Sequence, residues 1–379
     1  LPCSDLNWQT VEGAFLSIFL FLSMKLFEPY PLGSLDLSSR IAMAPLTRCR
    51  AVNENTPNDL MVEYYRQRAG TGIIIAEGTS PSPNGLGYKN IPGLFNEAQL
   101  EGWKKVTQAV HDENGIIFLQ IMHTGRVGHT NNLPKGGRLL APSAIAQAGD
   151  ISTYDLERQP YPVPEAMSAE DIKTAIQEFR TCTEMAIEAG FDGVEIHGAH
   201  GYLPNQFLVP SKNKRSDLYG GNRENRLRFL REVLTECIEA VGSDKVGLRI
   251  SPFSYAEAED EVKELYDTYT SLAEILNPLN LAYLHLSHMG DPVEVKFELW
   301  RILRSIYQGN LMLCGDFTQE KAEEVLEKNE ADLIAFGRDC IANPDLVERF
   351  KNNWSLADRD NSQWYGDGAE GYTDYPNHQ

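Results

Sequence analysis

From Arg40 onward the chain repeats one pattern: a short apolar run, then a longer amphipathic stretch, eight apolar runs in all. The runs fall at 41–46, 72–77, 116–122, 193–197, 246–251, 282–287, 311–314 and 333–336. Runs this short and this apolar suit strands covered on both faces, as in a parallel sheet whose crossovers are helices. Between them the apolar residues recur at helical spacing, over 60–68, 97–113, 169–189, 224–241, 262–276, 297–306 and 319–328. Ser168 and Thr318 stand where helix N-caps are expected. A chain of 379 residues suits one large barrel or two ordinary domains. The series has no linker and no glycine-rich boundary, which favours an α/β fold with a closed (β/α)8 barrel over a doubly wound sheet. Residues 24–379 are therefore expected to form a single domain.

A barrel fixes where chemistry belongs, because its sites lie at the C-terminal ends of the strands. The polar residues at those ends are Thr47 and Arg48, Glu77 to Thr79, Gln120 and His123, His197 and His200, Arg249, Gly315 and Asp316, and Gly337 and Arg338. The segment 124–164 is too long for an ordinary connecting loop, and it suggests an excursion capping that face. At 193–207 a buried strand runs into two imidazoles and a phenol, His197, His200 and Tyr202. Two hydrogen-bond donors with a proton donor two residues later suit the polarisation and protonation of a carbonyl compound. A histidine at a strand end is more often a satisfied polar residue. A zinc pair would instead sit at i and i+4 on a helix with a Glu between them, so no metal is assigned. After the seventh and eighth strands, Gly315, Gly337 and Arg338 form a candidate phosphate site, built from backbone N–H groups and one guanidinium fork. No G-x-G-x-x-G fingerprint accompanies them, so a mononucleotide fits better than a dinucleotide.

Acidic residues outnumber basic ones 54 to 34, for a formal charge of −20. Nucleic acid and anionic membrane both need a basic footprint, so neither is expected as a partner. The six cysteines are scattered singly, as reduced thiols in a cytoplasmic protein would be, and without the clustering an iron–sulfur centre needs. The apolar run at 14–22 falls short of the ~20 residues that span a bilayer and lacks a basic flank. Residues 1–23 read as a doubtful extension, with Met24 resembling an ordinary start.

The motifs Ala42-Met-Ala-Pro-Leu-Thr-Arg48, His123-Thr-Gly-Arg126, His197-Gly-Ala-His200-Gly-Tyr202, Lys214-Arg-Ser-Asp-Leu-Tyr-Gly-Gly-Asn-Arg-Glu-Asn-Arg226, Phe336-Gly-Arg-Asp339 and Gly371-Tyr-Thr-Asp-Tyr-Pro376 occur in order along the chain. Together they resemble the Old Yellow Enzyme family of flavin-dependent ene-reductases, in particular its bacterial N-ethylmaleimide and nitrate-ester reductases and its 12-oxophytodienoate reductases. The resemblance implies FMN in the barrel mouth, with Pro45, Thr47, Gly78, Gln120 and Arg249 at the ring and Gly315, Gly337 and Arg338 at the phosphate. It also implies that His197 and His200 bind the substrate carbonyl while Tyr202 supplies the proton. Tyr88, Tyr365 and Met122 would line the substrate pocket. The second paired donor is His200 here, where the yeast-type enzymes carry Asn, and Met122 stands where bacterial members usually carry Trp. The function so implied is reduction of the C=C bond of an enone by NADPH or NADH through FMN, with nitro compounds or nitrate esters as further substrates. The protein would act as a monomer or weak homo-oligomer. The competing reading is a flavin-binding redox sensor or interaction module without turnover.

Overall fold

The computed structural model describes residues 24–154, 158–253, 259–287 and 293–378, so the expectations for residues 1–23 lie outside the described residues. Eight parallel strands close into a barrel: β1 (Ile41–Met43), β2 (Ile73–Thr79), β3 (Ile117–Ile121), β4 (Gly193–Gly198), β5 (Val246–Ile250), β6 (Tyr283–Ser287), β7 (Leu311–Cys314) and β8 (Leu333–Phe336). Each pairs with its neighbour in sequence, and β8 pairs back onto β1. The helices α1 (Asp59–Arg66), α2 (Glu97–Asp112), α3 (Ala169–Glu188), α4 (Arg223–Val241), α5 (Glu259–Leu276), α6 (Val293–Ile306), α7 (Gln319–Glu327) and α8 (Leu346–Asn352) follow the strands around the barrel. This is the barrel architecture expected from the alternation.

The differences are at the ends. β1 stops at Met43 rather than 46, because Pro45 has no N–H to give to a ladder. The α5 and α6 helices begin three and four residues before their expected starts at 262 and 297. The first turn of α5, Glu259-Asp-Glu, is acidic, and apolar spacing does not detect such a turn. Ser168 caps α3 in a full capping box with Asp171, and the Thr318 side chain accepts from the Lys321 N–H.

Alternation along each strand divides its side chains between two cores. Ile74, Leu119, Val194, Ile196, Leu248, Leu284, Leu313 and Ile334 face the helices in one large cluster. Ala42, Ile73, Ile75, Phe118, Tyr283, Met312, Leu333 and Ala335 fill the barrel itself. A hairpin of Tyr30–Leu32 with Leu35–Leu37 adds Leu32 and Leu37 to this inner cluster, closing the end away from the strand C-termini. Higher in the barrel the inward positions turn polar: Gln120 on β3, Glu195 and His197 on β4, Arg249 on β5 and His285 on β6, all buried. They lie at adjacent heights, with Gln120 beside Glu195, His197 beside Arg249 and Arg249 beside His285.

Candidate active site

Above this polar layer opens a cavity of about 870 Å³, within the usual range of ligand and cofactor sites. Its wall includes Pro45, Thr47, Gln120, His197, His200, Tyr202, Arg249, Gly315, Gly337, Arg338, Tyr88 and Tyr365. Gly78 and Met122 are not among its lining residues. Met122 is buried with Leu86 and Ile91, and a Cβ on Gly78 would lie 2.6 Å from its sulfur. The glycine therefore makes room for the thioether. The excursion after β3 contributes a small antiparallel pair, Asp150–Ile151 with Gln159–Pro160, and Asp150, Ile151, Ser152 and Tyr161 flank the cavity.

The turn after β4 sets the catalytic candidates. His197 ends inside the barrel, and its Nδ1 accepts the Ala199 N–H at 3.3 Å. A neutral ring with Nδ1 accepting carries its proton on Nε2, leaving that N–H as a donor. His200 sits at φ +55°, followed by Gly201 at +77°. Left-handed backbone at a non-glycine residue is costly, and here the His200 N–H is held by Ser251 Oγ at 2.7 Å. The His200 Nε2 meets Ser287 Oγ at 2.9 Å. If the serine hydroxyl donates, the His200 proton lies on Nδ1. Burial, followed by the nearby His200, Arg249 and His285, pushes the His197 pKa well below its ordinary value. Burial, then Arg249 and His285, does the same to His200. Both rings are neutral donors near pH 7. Tyr202 follows as the N-cap of the short helix Leu203–Leu208. Its hydroxyl lies 3.1 Å from that of Tyr88, and its ring packs edge-on to His197 at 4.7 Å.

The rest of the cavity wall suits a flavin mononucleotide. Arg249 is 4% exposed, yet its Nε has no hydrogen-bond partner among the described residues. A buried cation with a spare donor matches the anionic edge of a reduced isoalloxazine. Gln120 gives its Nε2 to Glu195 Oε1 at 2.7 Å, so its carbonyl oxygen remains available to accept. At the other end Gly315 and Gly337 line the cavity with Arg338, whose guanidinium makes, among the described residues, a long 3.8 Å contact to exposed Asp316.

Some strand-end polar residues have structural roles instead. Arg48 and Arg50, nearly fully buried, donate to the carbonyls of Gln363, Trp364, Gly368, Glu370 and Gly371. They pin the C-terminal segment that brings Trp364 and Tyr365 to the cavity. Glu77 accepts from the Arg48 N–H and from Tyr65 beneath that clamp. His123 is buried outside the cavity lining, its Nδ1 accepting the Gly125 N–H. Burial lowers its pKa to about 4. Unfolded chains then bind a proton here that the native state refuses, so stability is lost as pH falls through 6.5 towards 4. The His123 share is about 3 kcal/mol. Burial raises Glu77 and Glu178 to about 7, and these two act in the opposite sense, losing stability as pH rises from 4.5. The expected result is therefore differential: His123→Gln flattens the fall in urea midpoint between pH 6.5 and 4. Parallel curves for the two proteins would refute it.

The NADH:flavin oxidoreductase / NADH oxidase family model matches residues 25–357. The chain is 40% identical over 373 residues to 12-oxophytodienoate reductase 7 of Oryza sativa subsp. japonica, covering 93% of this chain and 94% of that one. It is 41% identical to a probable flavin mononucleotide-dependent alkene reductase of Leishmania infantum, covering 93% and 97%. A structure of morphinone reductase in complex with tetrahydroNAD superimposes with a TM-score of 0.87 at 40% identity, covering 93% of this chain and 98% of that one. With the barrel, the polar cavity and these relatives in agreement, the chain belongs to the NADH:flavin oxidoreductase / NADH oxidase family, the Old Yellow Enzyme family of FMN-dependent oxidoreductases.

Proposed function

We propose that this chain reduces the C=C bond of α,β-unsaturated carbonyl compounds with FMN held in the cavity, and that NADPH or NADH resupplies the electrons. The observation that carries the reading is the turn after β4. It sets two neutral imidazoles and a phenol on the wall of a cavity that also holds the underemployed Arg249 cation. The names of the relatives support it, one an alkene reductase, and so does the tetrahydroNAD in the morphinone reductase complex.

When bound, FMN would supply the hydride that reaches the β-carbon. His197, through Nε2–H, and His200, through Nδ1–H, hold the carbonyl oxygen and stabilise the charge that grows on it. Tyr202 gives its proton to the α-carbon, and the Tyr88 hydroxyl, 3.1 Å away, can then donate to the oxygen left behind. Pro45, Thr47, Gly78, Gln120 and Arg249 would hold the ring, with Gly315, Gly337 and Arg338 at the phosphate. Tyr365, 69% exposed at the rim, would close over substrate, and Met122 would act only through the wall behind Gly78. We further read residues 24–379 as one domain, acting in the cytoplasm as a monomer or weak homo-oligomer. The five described cysteines are free thiols, and no helix among the described residues is long and apolar enough to cross a membrane.

The purified protein should be yellow, with one FMN per chain. Arg338→Ala should lose FMN on dialysis about tenfold more readily, as expected for one partly exposed charge-assisted contact. Protein that stayed colourless after incubation with FMN would end the reading.

A further inference from the structure

The phosphate end of the cavity carries a second guanidinium, and it lies on no barrel strand. Arg359 lines the same cavity as Gly315, Gly337 and Arg338, although it belongs to the C-terminal segment and stands just past residue 357, where the family match ends. Asp339 places it at this end. That aspartate directly follows Arg338 in the chain, and its side chain is only 8% exposed. Its two oxygens accept from Arg359 Nε at 2.7 Å and from Arg359 Nη2 at 2.9 Å. A fork of this kind fixes the plane of the guanidinium as well as its position. It spends two of the five N–H donors that an arginine carries. The remaining donors, both of those on Nη1 included, have no protein partner among the described residues.

Charge gives those donors a ligand. A phosphate monoester carries about −1.5 to −2 at pH 7, and Arg338 alone offsets roughly half of that. Asp316, Asp339 and Asp367 line the same cavity, so a phosphate met by one cation would face uncompensated like charge. A second guanidinium, already oriented and with donors to spare, balances the dianion and loses little freedom on binding it. Resting on the flavin reading above, we propose that Arg359 is a second phosphate-binding residue, its unspent N–H groups meeting the phosphate oxygens of FMN, and that Asp339 positions it. The phosphate is then held by cations from two separate stretches of chain, the turn after β8 and the C-terminal segment that Arg48 and Arg50 pin to the barrel.

The test compares FMN with riboflavin, which has the ring and the ribityl chain but no phosphate, by fluorescence titration of the full chain freed of flavin. Arg359→Gln should weaken FMN about tenfold, as expected for loss of one partly exposed charge-assisted contact, and leave riboflavin unchanged. Asp339→Asn combined with Arg359→Gln should keep most of that loss, because the missing contact is to the phosphate itself. Equal losses for the two ligands would place the effect at the ring or in the fold and overturn the proposal. Recovery of wild-type FMN binding in the double variant would also overturn it, by reducing Arg359 to a counter-ion for Asp339. So would a wild type that binds riboflavin as tightly as FMN, though the flavin reading would survive. Failure of the flavin reading itself would look different, as wild-type protein that takes up neither ligand.

Discussion

Tyr202→Phe should leave FMN binding and its reduction by NADPH nearly unchanged, while slowing reoxidation by cyclohexenone about 10²–10⁴-fold, the usual worth of a positioned acid. The substitution removes one oxygen and leaves the packing. The ring keeps its edge-on contacts with His197 at 4.7 Å and Tyr88 at 6.3 Å, and the N-cap backbone of the following helix is untouched. What disappears is the proton for the α-carbon, together with the 3.1 Å contact to the Tyr88 hydroxyl. Tyr88 is the nearest alternative donor, but its position is fixed by the same wall, so it should rescue little of the rate. Nitro-olefins, whose reduced products need less help from an enzymic proton, should be less sensitive. Stopped-flow measurement of the two half-reactions separates the outcomes. A variant slowed only in the NADPH step would remove Tyr202 from the role of acid.

The barrel was legible because each of its strands is buried on both faces, so each appears as a short apolar run whatever its neighbours do. The strand-end rule then found part of the cavity wall, including His197, His200, Arg249, Gly315 and Gly337. Chain direction misled it at β3. The strand ends at Ile121, and His123 turns into packing rather than into the cavity; Met122, expected in the pocket from the resemblance, packs with Leu86 and Ile91. Arg48 was equally conspicuous, but the carbonyls its guanidinium clamps, Trp364 and Gly371, lie more than 300 residues away in the C-terminal segment, and no local spacing reveals such a clamp. The Glu195–His285 pair spans 90 residues. One signal for it did exist: both are ionisable side chains at inward positions of otherwise apolar strands. A period-of-two count along 193–198 and 283–287 puts Glu195 with His197 and His285 with Ser287. A buried charge in that setting needs a partner, and the partner was the corresponding inward position two strands away.

His197→Ala should cost more than binding. Removing one preorganised donor from a charge that develops in the transition state typically costs ~2.7–4 kcal/mol, or about 10²–10³ in rate. Here the donor is unusually well fixed. The Ala199 N–H occupies Nδ1, and the ring is 3% exposed, so the imidazole has little freedom to turn away or to take a proton. Its neutrality matters as well. The pKa is depressed by burial and then by the surrounding His200, Arg249 and His285, so the N–H donor should persist unchanged as pH falls from 8 to 6. The wild-type rate of reoxidation by enone should accordingly show no titration near 6.5. Phenol binding to the oxidised protein should weaken in His197→Ala, because the same hydrogen bond is made in the ground state, and the rate loss should exceed the binding loss, because the bond strengthens as charge builds. His200 tests the tautomer argument independently. Ser287→Ala removes the hydroxyl that meets Nε2, freeing the ring to place its proton on Nε2 and withdrawing the Nδ1 donor from the substrate. That change should lower the enone step by roughly tenfold, as expected for one hydrogen bond of about 1.4 kcal/mol, without altering FMN content. Equal losses in phenol binding and in rate for His197→Ala would reduce the residue to a substrate anchor. A protonation step near pH 6.5 would mean that the imidazole works as a cation, contrary to its buried setting.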